Sequence, residues 1–288
     1  MVFRETIKKL DRGVKKAVDD FFRTAEQNQK TENDILLVKI HGFLDRESKA
    51  GLNKIRFSEY VFGPGQEGLS ADRFYEFFNI YRHQITSKKN FLEDIKKQKD
   101  EVEQAERMSV DIELLIYLKF WESDLILRQL YNLKNLATGS RYDWNFDPNK
   151  FWKRRELIRL EIQQPIKAIS PLFYDLIDET YSAQIRNAIA HTKYYFLGRN
   201  INLTNKLDNP HYKLFNIPFD DWEIRFHKVI LMYNHIIGNL NRINIKYAEK
   251  SADLHNGLAI ETPKKGKHGL NKIHWIKYDD NFKRWYGK

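Results

Sequence analysis

Between residues 109 and 139 the chain carries SVDIELLIYLKFWESDLILRQLYNLKNLATG, an apolar run at helical spacing with too many large side chains for one stripe. A helix of this kind is covered on more than one side. Other helices must therefore surround it, and the expected fold is mainly α. Ser109 is placed to cap the helix, Asp111 and Glu113 to sit in its first turn, and Gly139 just past its end. With 13 Gly and 7 Pro in 288 residues, the chain is also poor in the turns that a β-sandwich or barrel needs.

Helical spacing recurs elsewhere. Ile7, Leu10, Val14, Ala17 and Phe21 form one face near the N-terminus. An apolar pattern over 34–43 precedes a charged, turn-rich stretch, and Ser70 opens a segment with Phe74, Phe77, Phe78 and Tyr81 on one side. Residues 88–107 hold twelve charged side chains in twenty, as a solvated helix or a linker does, which places a boundary near Arg107. Three regions follow: 1–107, helical; 108–250, the main helical domain; and 251–288, a basic tail with short strands. Within the second, FWKRRELIRLEI is a basic helix. Ser170-Pro171 then opens a further helix through 172–196, with one break, and Asp220 caps the last, from Trp222 to about Tyr247. YYFLGRNINL suggests a hairpin around Gly198, and GLAIETPKKGKHGLNKIHWIKY two strands joined by a basic loop.

Composition narrows the chemistry. The chain has no cysteine, which removes disulfides, thiol nucleophiles and thiolate-bound zinc, and fits a reducing compartment. Its 49 Lys and Arg against 39 Asp and Glu leave a net charge of +10; residues 242–288 hold 11 basic and 5 acidic side chains, so they carry +6 of it. A surface of that sign attracts nucleic acid or anionic lipid. The N-terminus is charged from its fourth residue, and the uncharged stretch 229–241 is too short and polar for a bilayer, so the expectation is a soluble, cytoplasmic protein without a membrane partner.

Most motif-like strings in the chain fit ordinary structure. Gly63-Pro64-Gly65-Gln66-Glu67-Gly68 spells a dinucleotide-binding string but lacks a βαβ setting, and it reads as a turn. His227 and His235 are two helical turns apart, too far to share an ion, and no HExxH occurs. Neither a GxSxG elbow nor a Walker lysine loop is present. No metal or cofactor is expected.

Arg186-Asn187-Ala188-Ile189-Ala190-His191 stands apart. On a helix at about 100° per residue, Ile185 and Ile189 face the core, and Asn187 and His191 share a roughly opposite face. Arg186 and His191 lie about 140° apart around the small Ala190. A planar cation, an amide and an imidazole suit phosphate binding and proton transfer. The same residues also make an ordinary exposed helical face.

RNAIAH and its setting resemble the Arg-x4–6-His signature of HEPN domains, with a polar residue after the Arg. The likeness spans residues 109–247 and takes in the long first helix, the YDW after it, the motif helix and the helix at Asp220. It implies a HEPN-like helical bundle and a metal-independent endoribonuclease acting as a homodimer. Toxins and antiviral-defence effectors are common in that family, so an antitoxin or sensor protein is an implied partner. Arg186 and His191 would be the catalytic pair and Asn187 their polar support. In some HEPN groups an acidic residue on the first long helix contributes; Glu122 is the candidate here, and Asp124 the alternative. Otherwise the domain is a silent module that binds RNA or a protein.

For the tail, Lys264, Lys265 and Lys267 are expected to touch RNA phosphate. Neutralising all three should weaken RNA binding and flatten its salt dependence by about one unit of slope for each phosphate that no lysine neutralises any longer. An unchanged slope in a salt titration would assign the charge to solubility or to a protein partner.

Overall fold

The structure, a computed structural model, describes residues 4–40, 99–148, 151, 153–207, 209, 211–263, 271–281 and 283–287. The glycine string at 63–68, most of the charged stretch at 88–107 and the lysines of 264–267 lie outside them. The described part is mainly helical, with two small antiparallel sheets towards the C-terminus. Its helices are α1 (Arg4–Asn28), α2 (Asp34–Ile40), α3 (Lys99–Glu122), α4 (Asp124–Ala137), α5 (Pro171–Thr180), α6 (Ala183–Ala190) and α7 (Phe219–Asp253). Between α4 and α5, residues 154–166 form one helical stretch that changes pitch. One turn, Arg154–Glu156, leads into a π-helix over Leu157–Gln163 and a 3-10 turn over Gln164–Ile166.

The apolar run is in fact two helices. Ser123 takes extended backbone angles and its hydroxyl accepts from Ile126 N at 3.4 Å, so it caps α4. A serine inside an apolar pattern carries no breaker signal, which is why the sequence reads as continuous. Ser109, expected as a cap, lies inside α3, and its hydroxyl donates to Glu113 at 3.1 Å. The end of α4 is as expected: Gly139 has φ +74°, Gly139 N donates to Leu136 O and Ser140 N to Asn135 O, a Schellman motif.

One contiguous core holds the elements together. Val14, Ala17, Val18, Phe21, Phe22 and Ala25 bury the apolar face of α1, and the Phe21 ring stacks on Phe173 of α5 at 4.4 Å. The helix α3 runs unbroken through Arg107. Polar pairs join α1 and the turn after it to α7 in the same order along both: Asp11 to His235, Asp19 to Asn239, Glu26 to Lys246 and Glu32 to Lys250. Exposed pairs of this kind each contribute at most about 1 kcal/mol. The apolar face between the helices carries the packing.

Strands β1 (Tyr194–Phe196), β2 (Asn200–Leu203) and β3 (Asn216–Pro218) form the first sheet in that order, with Gly198 at φ +54° in the expected hairpin. The helix α7 starts at Phe219, directly after Pro218, and runs to Asp253. It is longer than its pattern suggests, and Asp220 sits in its first turn rather than at the cap. The second sheet is β4 (Leu258–Pro263), β5 (Asn271–Asp279) and β6 (Arg284–Gly287), and β6 is a strand that sequence patterning misses because it has only four residues. Gly257 admits no side chain there, since a Cβ would stand 2.3 Å from Ile276 O. This sheet is tied back to the bundle by Trp285 Nε1 donating to Asn244 Oδ1, Asn33 Nδ2 to Ala259 O, and Trp144 Nε1 to Glu261 O.

Two buried titratable groups at these contacts act in opposite directions. Asp34, 3% exposed, accepts from Tyr142 N at 3.1 Å; burial, with Glu261 nearby, pushes its carboxyl up to about 6. The folded state thus holds its proton more tightly than the unfolded chain does, and the resulting stability is lost as pH rises from about 4 to about 6. Burial and Lys272 push His274 down to about 4, so its contribution is present above 6.5 and is lost as pH falls towards 4. Asp34→Asn should match wild type near pH 4 and exceed it by about 1–3 kcal/mol above pH 6. His274→Gln should gain on wild type only below pH 6.5. Urea unfolding across pH 4–8 checks both signs.

Candidate functional site

The site is built on a break in the backbone. Tyr181 and Ser182 are both extended and separate α5 from α6. Tyr117, fully buried on α3, holds that break from both sides: its hydroxyl donates to Thr180 O at 3.0 Å and accepts from Ser182 N at 2.9 Å. Burial pushes this hydroxyl up to about 12, so it stays protonated and keeps both bonds. Arg159, in the π-helix, donates to Tyr181 O at 2.8 Å and to Asp178 at 2.6 Å. Short π-helical stretches are frequent at functional sites. Here the π-helix sets Arg159 over the Tyr181 ring, 5.3 Å from its centre.

From the break, α6 starts with its own cap, Ser182 Oγ accepting from Ile185 N at 3.3 Å. Ile185, Ala188 and Ile189 are buried, as the spacing requires. Arg186 and Asn187 then fall on the outer side, and Arg186 meets Glu122 at the C-terminus of α3. Arg186 Nη1 donates to Glu122 Oε1 at 2.8 Å and Arg186 Nε to Asn187 Oδ1 at 3.1 Å. The Asn187 amide donates to the Tyr212 hydroxyl. Tyr212 is brought there by Gln184, which exchanges two hydrogen bonds with the Leu214 backbone at 2.7 and 3.0 Å.

These side chains line an open cleft of about 550 Å3. Lys153, Arg154, Arg155 and Arg186 line it against one carboxylate, Glu122. Phe151, Tyr181 and Tyr212 add aromatic residues to the lining. Arg154 reaches Asp124 at 2.5 Å and Glu122 at 3.7 Å. Of the two acidic candidates, Glu122 touches Arg186, whereas Asp124 pairs with Arg154.

His191 stands elsewhere. It is the C-cap of α6, exposed, with φ −111° and ψ 13°, and it does not line the cleft. The 140° relation to Arg186 assumes a helix that continues, but α6 ends at Ala190 and Thr192 turns back at φ +53°. The structure therefore brings Arg186, Asn187 and Glu122 together and leaves His191 outside. Lys264, Lys265 and Lys267 fall outside the described residues. Arg154, Tyr181 and Tyr212 are residues of the cleft that sequence reasoning misses. The basic cluster 153–155 is visible as a helix, but nothing in the sequence says that it faces α6.

Among the described residues no three His, Asp or Glu side chains converge, and no helix is long and apolar enough to cross a membrane. No family model matches the chain, nor does any curated protein or solved structure.

Removing the Tyr117 hydroxyl strands a buried carbonyl and a buried N–H at once. Tyr117→Phe should therefore cost about 2–4 kcal/mol in chemical denaturation, more than one ordinary hydrogen bond. A cost below about 0.5 kcal/mol would show that packing alone holds the break.

Proposed function

We propose that the protein is a metal-independent endoribonuclease of HEPN type, working as a homodimer in the cytoplasm as a toxin or antiviral-defence effector. The observation that carries this reading is the Arg186–Glu122 pair, joined across 64 residues of sequence at 2.8 Å on the wall of a basic cleft. A residue pair so placed suits phosphate chemistry, since the carboxylate fixes the guanidinium while its remaining donors stay directed at an anion.

In the proposed reaction a ribose 2′-OH attacks the neighbouring phosphorus as the bond from phosphorus to the 5′-oxygen breaks. The 2′-OH proton leaves to a base, an acid returns one to the 5′-oxygen, and a 2′,3′-cyclic phosphate and a 5′-OH result. Arg186 would stabilise charge on the phosphorane oxygens. Asn187 holds the Arg186 side chain through its amide oxygen. His191 would move the protons, a role worth about 10²–10⁴-fold.

Its exposed position, outside its own chain's cleft, supports a composite site completed by a second copy. Met108, Ile112 and Leu115, spaced four and three apart on α3, are exposed at 63%, 48% and 58% and supply an apolar stripe suited to such a contact. An antitoxin or sensor protein that restrains the activity belongs to the same proposal. The position of His191 also favours a second reading, a silent module that binds RNA or a partner protein without cutting.

An RNA-cleavage assay in EDTA with light scattering alongside separates the two. The expected result is a dimer that cleaves, with His191→Ala lowering turnover by about 10² or more at unchanged RNA binding. Arg186→Lys should also lose turnover, since it keeps charge but not the planar fork. Ile189→Ala, a buried control, should cost about 2–5 kcal/mol and reduce activity only through instability. Wild-type cleavage by His191→Ala at an unchanged melting temperature would end the nuclease reading.

A further inference from the structure

Two residues that line the cleft carry buried donors with no partner among the described residues. Tyr181 is 1% exposed, yet its hydroxyl makes no hydrogen bond, and Nη1 of Arg154 is likewise buried and unbonded. Both residues line the cleft. A buried polar group left unpaired destabilises the folded state by about 1–3 kcal/mol, so two in one cleft call for a reason. The rest of each side chain is firmly held. Tyr181 packs on Trp121 and beneath Arg159, with ring centres 5.0 Å apart in the first contact. Arg154 is fixed by Asp124 through Nη2.

We propose that Arg154 and Tyr181 form a phosphate-binding subsite beside Arg186, in which their unbonded donors grip the oxygens of one phosphate group. Burial holds the Tyr181 hydroxyl well above its usual range, so it remains a donor at every physiological pH. The four cationic side chains around the cleft favour a dianion or a run of phosphodiesters over a neutral ligand. As a seat for an RNA backbone phosphate the subsite rests on the nuclease reading; as a site for phosphate it does not.

Tyr181→Phe is a sharp test because the hydroxyl it removes bonds to nothing in the free protein. Calorimetry on the full chain would use two probes, inorganic phosphate and a single-stranded hexadeoxynucleotide, which lacks the 2′-OH and is not cut. At least one should bind wild type. Tyr181→Phe should weaken that binding by about 3–10-fold and Arg154→Gln by about 10-fold or more, with the melting temperature of Tyr181→Phe no lower than wild type. Binding of the oligonucleotide alone would identify a backbone phosphate as the ligand, and binding of inorganic phosphate alone a free phosphate or monoester. No binding of either probe, affinities of either variant within twofold of wild type, or a lower melting temperature for Tyr181→Phe would overturn the proposal. The two readings fail separately. A chain that never cleaves RNA but binds phosphate through Tyr181 loses the nuclease and keeps the subsite, and a chain that cleaves while Tyr181→Phe binds both probes as wild type does the reverse.

Discussion

The hydroxyl of Tyr117 is the contact on which the site depends. A helix continuing from α5 through Tyr181 would carry Arg186 away along the α5 axis. Two extended residues redirect the chain, and extended backbone inside a helical bundle leaves a carbonyl and an N–H that need partners. Tyr117 satisfies both with one atom, donating to Thr180 and accepting from Ser182. Arg159 takes the carbonyl between them. The break is thus a fully hydrogen-bonded feature, and α6 leaves it at an angle that sets Arg186 against the end of α3.

Electrostatics then shapes what the break positions. Glu122 lies between two guanidinium groups, 2.8 Å from Arg186 and 3.7 Å from Arg154, and Asp124 takes the far side of Arg154. Each cation is partly neutralised and oriented, which lets basic side chains from separate elements stand close together around one cleft. The guanidiniums are largely buried while both carboxylates stay partly exposed, so desolvation of the cations offsets part of the attraction. The effect of the pairs is geometric, because a guanidinium held by one edge presents the other.

The described chain is one packed body despite its three-part sequence pattern. Phe21 stacking on Phe173, and the contacts from Asn33 and Trp144 to β4, join segments more than a hundred residues apart. Asp34 is buried where α2 meets the residues after α4, and His274 is buried on β5 of the C-terminal sheet. Their opposed titrations follow from burial, which disfavours the charged form of an acid and of a base alike and which neither residue's neighbours in sequence reveal.

Periodicity and turn chemistry made much of the fold legible. The faces of α1 and α6, the Schellman end at Gly139 and the hairpin at Gly198 all follow from local spacing, since helix and turn preferences act over a few residues. The division of the apolar run at Ser123 and the strand β6 did not, because a lone serine and four residues carry too little local signal. For the site, RNAIAH marked Arg186 and Asn187, and the first long helix offered Glu122 and Asp124 without choosing between them. Which carboxylate meets Arg186, that Arg154 and Tyr181 share its cleft, and that His191 stands outside it depend on where α6 leaves the break and where it ends. Those are properties of packing across more than sixty residues of chain. Local spacing was enough to set most of the helices and the chemical groups they carry. Which of those groups face one another was left to tertiary packing, because contact across that distance is fixed by the shape of the shared core and not by any local preference.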